Sequence, residues 1–135
     1  MNILGIDYGT KNIGLAWVDT DLGIVLPYGV LRNEERGTRN EELAKLIKKE
    51  KADKIVIGLP LTLEDGAENP NTKRVRAFGN KLEKLVDLPI EFIDERLSSF
   101  EADNMGGDLT KGQTGASRDE KAAMIILQEY LSKSL

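Results

Sequence analysis

The sequence predicts an α/β fold in which three antiparallel strands precede alternating helices and strands. Two observations support this prediction. Three β-rich runs open the chain with only short connections between them, which is typical of an antiparallel meander. Further on, short apolar runs alternate with segments that have helical spacing. Together they predict a mixed five-stranded sheet with helices on both faces, formed by one domain of residues 1–135.

The meander accounts for the first quarter of the chain. Asn2–Tyr8 contains consecutive apolar residues, which in a strand point to opposite faces of the sheet. It therefore resembles a strand that is buried on both faces. The segment Gly9–Asn12 has the composition of a turn and joins it to a second strand, Ile13–Asp19. A third strand is predicted at Ile24–Arg32.

The remaining elements alternate between helix and strand. The segment Glu41–Lys51 has apolar residues at helical spacing, and Lys54–Gly58 is a short apolar run that suits the middle of a sheet. The other predicted elements follow in order: a loop at Leu59–Asn69, a helix at 71–86, a strand at Pro89–Asp94, a brief helix at Ser98–Met105, a Gly-rich loop at Gly106–Gly115 and a helix at Arg118–Ser132.

The composition limits the chemistry that the chain can perform. It contains no histidine and no cysteine. Serine triads, imidazole bases, thiol nucleophiles, disulfides, the usual zinc sites and iron–sulfur clusters are therefore excluded. Carboxylates are the natural candidates for any catalysis. A net charge of −4 argues only weakly against a nucleic-acid substrate, because a local basic surface remains possible.

Two features predict a cytoplasmic protein that does not bind membranes. The N-terminus has no basic leader before its first apolar residues, unlike a secretory signal peptide. In addition, no apolar stretch approaches the roughly 20 residues that a membrane-spanning helix requires.

Acidic residues stand at the ends of two predicted strands. Asp7 follows the apolar run of the first strand just before the glycine turn, and Asp94 and Glu95 follow the apolar run of the last strand. A turn-initiating aspartate and a solvated rim are the ordinary structural explanations. However, ligand sites in open α/β sheets gather beyond the carboxyl ends of the parallel strands, so these acids are also candidates for one site.

A third acid, Asp119, lies on the sheet-facing side of the final predicted helix. The stripe at positions 119, 122, 123, 126, 127 and 130 is otherwise made of small, apolar and aromatic residues. An aspartate in the first turn is also explained by the helix dipole. Ser117 and Glu120, however, already match the S-x-x-E capping box, and capping does not require Asp119 to face inward.

If the three acids meet at one edge of the sheet, a cation is the physical complement. Carboxylates a few ångströms apart repel one another unless positive charge lies between them. Mg²⁺ or Mn²⁺ suits such a site, because these ions prefer oxygen ligands. Either ion can also support phosphodiester hydrolysis without histidine.

Four segments resemble those of the YqgF family. They are DYGTKNIGLA at 7–16, IVIGLPL at 55–61, DERLSS at 94–99 and D-x-x-A-A-x-x-I-L at 119–127. They occur in order and span essentially the whole chain. The family has the RNase H-like fold, and its members are described as pre-16S rRNA nucleases and as Holliday-junction-resolvase-like proteins.

The resemblance implies that Asp7, Glu95 and Asp119 are catalytic, metal-binding acids and that Mg²⁺ or Mn²⁺ is the cofactor. It implies hydrolysis of structured RNA at the 5′ end of pre-16S rRNA during ribosome biogenesis, with a ribosomal particle as a further partner. Two alternatives stay open: a resolvase that cuts branched DNA, and a non-catalytic RNA-binding assembly factor. A monomer and a homodimer are both compatible with the sequence. Many relatives carry a more basic loop before the last helix than this chain has at 111–119.

Basic residues near these acids are candidates for nucleic-acid binding. The helix 71–86 has a basic bias, which could follow a phosphate backbone or could simply be a solvated face. Lys11 and Arg96 adjoin the acids in sequence and could stabilise phosphate charge. The predicted contacts are Lys11, Lys73, Arg74, Arg76, Arg96 and Lys111.

Overall fold

The computed structural model describes residues 1–34, 39–61, 66–94 and 117–134. The predicted helix Ser98–Met105 and loop Gly106–Gly115 lie outside these ranges. The strands are β1 Asn2–Tyr8, β2 Asn12–Asp19, β3 Ile24–Arg32, β4 Lys54–Leu59 and β5 Ile90–Asp94. The helices are α1 Arg39–Glu50, α2 Pro70–Val86 and α3 Arg118–Ser134. The eight elements within the described ranges all match predicted ones, with boundaries that differ by at most two residues.

The five strands form one mixed sheet in the order β3-β2-β1-β4-β5. Strands β1, β2 and β3 pair antiparallel, whereas β1, β4 and β5 run parallel to one another. The predicted meander followed by βα units is confirmed. Because the three parallel strands share a direction, their carboxyl ends lie at one edge of the sheet.

The pleat of β1 divides its side chains between two cores. Leu4, Ile6 and Tyr8 belong to the larger core, which β1 shares with α1 and α2. On the other face, Ile3 packs with residues of α3 in a second core. Alternation along the strand therefore separates residue 7 from residue 8, which point to opposite faces of the sheet.

The ends of the helices follow local capping rules. At the start of α2, the Asn69 side chain accepts a hydrogen bond from the Thr72 N–H, and the Thr72 hydroxyl accepts one from the Asn69 N–H. Pro70 occupies the first turn, where its missing N–H has no cost. The helix ends at Asp87, which has the left-handed conformation with φ of 53°.

Helix α3 packs closely against the sheet at Gly5 and Gly14. Residues 121–127 are all buried, and Ala123 and Leu127 contribute to the core on this face. A Cβ atom on Gly5 would lie only 2.5 Å from Cγ of Leu127, so the glycine makes room for the helix. No helix within the described ranges is both long and apolar enough to cross a membrane.

Lys54 ties the far end of α3 to the sheet. Its Nζ donates to the hydroxyl of Tyr130 at 2.7 Å and to Oε1 of Glu91 at 2.9 Å. The Tyr130 hydroxyl, followed by the Glu91 carboxylate, raises the pKa of Lys54 above its usual value. The ammonium group is charged at neutral pH, as is usual for lysine, and the raised pKa means that its stabilising contacts persist until the pH rises through this higher value.

Candidate functional site

Asp7 and Asp119 line the same polar cavity at the carboxyl edge of the parallel strands. We call it the carboxylate cavity; its volume is about 360 Å³. Asp7 comes near the end of β1 and Asp119 from the first turn of α3, and both residues are half-buried. The described residues that line it are Asp7, Gly9, Thr10, Lys11, Asn12, Arg118, Asp119 and Ala122. The structure thus brings together two of the three predicted acids.

Gly14 explains how the two acids come to lie together. It is the direct cross-strand partner of Asp7 in the β1–β2 ladder. A Cβ atom at this position would overlap the backbone carbonyl of Asp119. The first turn of α3 therefore rests on the backbone of β2 beside Asp7, and only glycine permits that approach.

The cap of α3 is made by the neighbours of Asp119. The Glu120 carboxylate accepts a hydrogen bond from the Ser117 N–H at 3.0 Å, and the Ser117 hydroxyl accepts one from the Glu120 N–H at 3.2 Å. The predicted capping box is present. Asp119 is not part of it and is instead one of the residues that line the carboxylate cavity.

The turn between β1 and β2 forms another wall of the carboxylate cavity and is firmly held. The Gly9 N–H donates to the Asn12 carbonyl at 3.0 Å, and the Asn33 side-chain amide donates to the Gly9 carbonyl at 2.6 Å. The Asn33 N–H also donates to the carbonyl of Lys11 at 2.8 Å. These bonds fix the backbone that carries the exposed Lys11 at the cavity.

The remaining predicted acids are placed differently. Asp94 ends β5 and pairs in register with Leu59, which belongs to the core on the α1 and α2 side. It therefore lies on the face opposite the carboxylate cavity. Glu95 lies outside the described residues. Within the described part of the chain, no group of three or more acids has the arrangement of a metal site.

The predicted nucleic-acid contacts that fall within the described residues lie at the carboxylate cavity and on α2. Lys11 lines the carboxylate cavity, and Lys73 and Arg74 are exposed on α2. Arg76 forms a two-pronged ion pair with Glu68, with Nε–Oε1 and Nη2–Oε2 distances of 3.0 and 3.1 Å. Arg96 and Lys111 lie outside the described residues.

Two basic residues near the sheet edge were not identified from the sequence as candidates for binding. Arg118 lines the carboxylate cavity; its position directly before Asp119 was the available signal. Arg39, in the first turn of α1, lies near Tyr8 on the other face of the sheet. Nothing in the local sequence around residue 39 indicates that contact, which depends on how α1 packs.

Comparison with known proteins gives the family. The sequence model of the family described as "RuvX: Holliday junction resolvase" matches residues 1–133. The chain belongs to this family. A relative from Maridesulfovibrio salexigens, named "Putative pre-16S rRNA nuclease", is 42% identical over 99% of this chain and 100% of its own. A relative of the same name from Rhodobacter capsulatus is 38% identical over 97% of this chain and 83% of its own. The resemblance to YqgF proteins is thus confirmed.

Solved structures give the fold. RuvC of T. thermophilus in complex with a Holliday junction substrate superposes with a TM-score of 0.66, covering 99% of this chain and 96% of RuvC at 9% identity. The Fowlpox virus resolvase in complex with Holliday junction DNA has a TM-score of 0.59 at 13% identity, covering 100% and 99% of the two chains. The RNase H-like fold is therefore confirmed.

Proposed function

We propose that this RuvX-family chain is a metal-dependent nuclease that hydrolyses phosphodiester bonds in structured RNA. Its proposed task is to process the 5′ end of pre-16S rRNA on ribosomal particles in the cytoplasm. The observation that carries the proposal is that the half-buried carboxylates of Asp7 and Asp119 share one polar cavity at the carboxyl edge of the parallel strands. The names of the relatives support rRNA as the substrate.

The donor set of the carboxylate cavity suits a hard divalent cation. Asp7 and Asp119 offer carboxylate oxygens, and Thr10 and Asn12 line the same cavity. We propose that Asp7 and Asp119 hold Mg²⁺ or Mn²⁺, with Glu95 as a third acid. When bound, such an ion supplies charge stabilisation at phosphate oxygens and lowers the pKa of water.

The residues around the two carboxylates have complementary roles in this proposal. Lys11 and Arg118 border the carboxylate cavity and carry positive charge, so they are suited to hold the phosphate group against the acids. The hydrogen-bonded turn at Gly9–Asn12 fixes the backbone of Lys11, so only the side chain of this residue must be ordered when a substrate phosphate binds.

A DNA junction is the second candidate substrate. The family is described as a Holliday junction resolvase, and two of the solved structures of this fold contain junction DNA. The same carboxylates would cut either polymer, because both have a phosphodiester backbone. A resolvase that cuts symmetrically would also need two copies of the chain, whereas an RNA-processing enzyme could act as a monomer.

A metal titration with two substrates tests the proposed function. We expect Mg²⁺- or Mn²⁺-dependent cleavage of a pre-16S rRNA fragment, faster than that of a four-way DNA junction under the same conditions. Gel analysis of both labelled substrates across a range of metal concentrations measures this. Preferential cutting of the junction would favour the resolvase. Binding of the rRNA fragment without cleavage at any metal concentration would instead indicate a non-catalytic assembly factor.

Thermal unfolding tests Asp119 as a metal ligand. Millimolar Mn²⁺ is expected to raise the Tm of the wild type more than that of Asp119→Asn, because binding to the folded state stabilises it. Glu120→Gln is the matched control: it removes one charge from the adjacent residue, and glutamine also serves in a capping box. Its Mn²⁺-induced shift should equal that of the wild type. Equal shifts in all three proteins would mean that Asp119 does not bind the metal and is only an acid in the first turn of the helix.

A further inference from the structure

A second polar cavity lies between α1 and α2, on the opposite face of the sheet from the carboxylate cavity. Its volume is about 250 Å³, and we call it the basic cleft. The described residues that line it are Tyr8, Arg39, Arg74, Ala77, Phe78 and Lys81. Three of the six are cationic and none is acidic, although the whole chain carries a net charge of −4. Such a local excess of positive charge favours an anionic ligand.

The guanidinium group of Arg39 is fixed at the floor of the basic cleft. Its Nη1 donates to the Tyr8 hydroxyl at 3.1 Å and to the side-chain oxygen of Asn33, and its Nε donates to Asn40 at 3.0 Å. Its central carbon lies 5.4 Å from the ring centroids of both Tyr8 and Phe78. An arginine held in this way loses little further conformational entropy when it binds an anion.

Arg74 and Lys81 provide the positive charge on the outer wall. They are seven residues apart on α2, so they lie two turns apart on the same side of the helix. Both are exposed, and neither forms an ion pair with any described residue. Arg76, on the same helix, is by contrast paired with Glu68. Within the described part of the chain, these two cations have no acidic partner and are available to a ligand.

The chemistry of the basic cleft favours a phosphate over a nucleic-acid base. Its two aromatic rings are tilted against each other by 41° with centroids 4.6 Å apart, and Arg39 lies near both. A base would compete with this guanidinium for the ring faces. A phosphate oxygen could instead accept hydrogen bonds from the cations without disturbing the rings.

The basic cleft and the carboxylate cavity lie on either side of the end of β1. Asp7 lines the carboxylate cavity and the next residue, Tyr8, lines the basic cleft, so the edge of the sheet separates them. Asn33 connects their walls, because its side chain accepts from Arg39 and donates to the Gly9 carbonyl. A polynucleotide passing over this edge could contact both within a few nucleotides.

We propose that the basic cleft binds a backbone phosphate of the nucleic acid whose scissile bond lies in the carboxylate cavity. This inference rests on the proposed function and adds to it a second, sequence-independent phosphate subsite formed by Arg39, Arg74 and Lys81. The subsite anchors the substrate strand beyond the sheet edge and contributes to affinity. It takes no part in the chemical step.

A charge-matched pair of double variants tests the subsite. Arg74→Gln with Lys81→Gln removes two cations from the basic cleft, and Lys45→Gln with Lys48→Gln removes two exposed cations from α1 outside it. Binding of a fluorescent RNA hairpin with a single-stranded extension is measured in EDTA, which prevents cleavage, over a series of salt concentrations. We expect the cleft variant to bind about tenfold more weakly, with a salt slope lower by about 1–2. The control should remain within about twofold of the wild type.

The remaining outcomes separate the subsite from the proposed function. In the presence of metal, the cleft variant should raise KM and leave kcat near the wild-type value, because the lost contact is made equally in the ground and transition states. Equal affinity of the cleft and control variants for the hairpin would overturn the subsite alone. So would binding of inorganic phosphate at the cleft that does not compete with the hairpin, since the cleft would then hold a free anion. Failure of the wild type to bind or cut any nucleic acid would overturn both proposals.

Discussion

Replacing Asp7 with asparagine is expected to reduce metal-dependent cleavage at least about a hundredfold, which is the lower end of what loss of one charge-stabilising group in an active site costs. Asparagine preserves the shape of the side chain but removes the negative charge that the cation requires. Among the described residues that line the carboxylate cavity, Asp119 is the one other acid, so the variant keeps a single described carboxylate there to hold the cation. The rate is measured with saturating metal on the substrate that the wild type cuts faster.

The same variant should be as stable as the wild type without metal, or more stable by up to about 1 kcal/mol, because two neighbouring carboxylates repel each other. Asp87→Asn provides the charge-matched control. Asp87 is exposed at the left-handed cap of α2, a conformation that asparagine readily adopts. Its cleavage rate should remain within about twofold of the wild type. If Asp7→Asn cut the substrate as fast as the wild type, the assignment of Asp7 as a catalytic, metal-binding acid would be wrong.

The convergence of Asp7 and Asp119 could be predicted from the sequence because two regular patterns point to it. The apolar run of β1 ends at Asp7, two residues before the glycine of the turn, and the stripe of α3 places an acid among residues that face the sheet. Parallel strands then bring the relevant ends to one edge. The separation of Asp94 from Asp7 required the observed register, because a shift of one residue reverses the face.

The basic cleft could not be predicted in the same way. Its residues come from β1, α1 and α2, and no single periodic pattern contains them. The basic bias of helix 71–86 is visible in the sequence, but the pairing of Arg76 with Glu68 depends on the path of the segment before α2. Likewise, Arg39 lines the basic cleft only because the packing of α1 on the sheet brings the first turn of this helix next to Tyr8. Long-range packing of this kind has no local signature.

Gly14 is the position where a single methyl group should have the largest structural effect. In Gly14→Ala the new Cβ atom would overlap the carbonyl of Asp119, and neither backbone can yield easily, because Gly14 is paired within the β1–β2 ladder and α3 is fixed by its buried residues. We expect a loss of about 3 kcal/mol in the free energy of unfolding, at the upper end of the usual cost of overpacking. The first turn of α3 should move away from β2 and carry Asp119 with it. Denaturant unfolding measures the first effect.

A second glycine distinguishes loss of stability from loss of the site. In Gly79→Ala the new Cβ would lie 2.5 Å from Cζ of Phe92, on the face of the sheet opposite the carboxylate cavity. This variant should lose about 1–2 kcal/mol, because overpacking is partly offset by the better helix propensity of alanine. Cleavage per folded molecule should survive in Gly79→Ala and fall about a hundredfold in Gly14→Ala, since a displacement of about 1 Å can cost that much. If both variants lost activity only in proportion to their unfolded fraction, the proposal that the close contact between Gly14 and Asp119 positions the acids would be wrong.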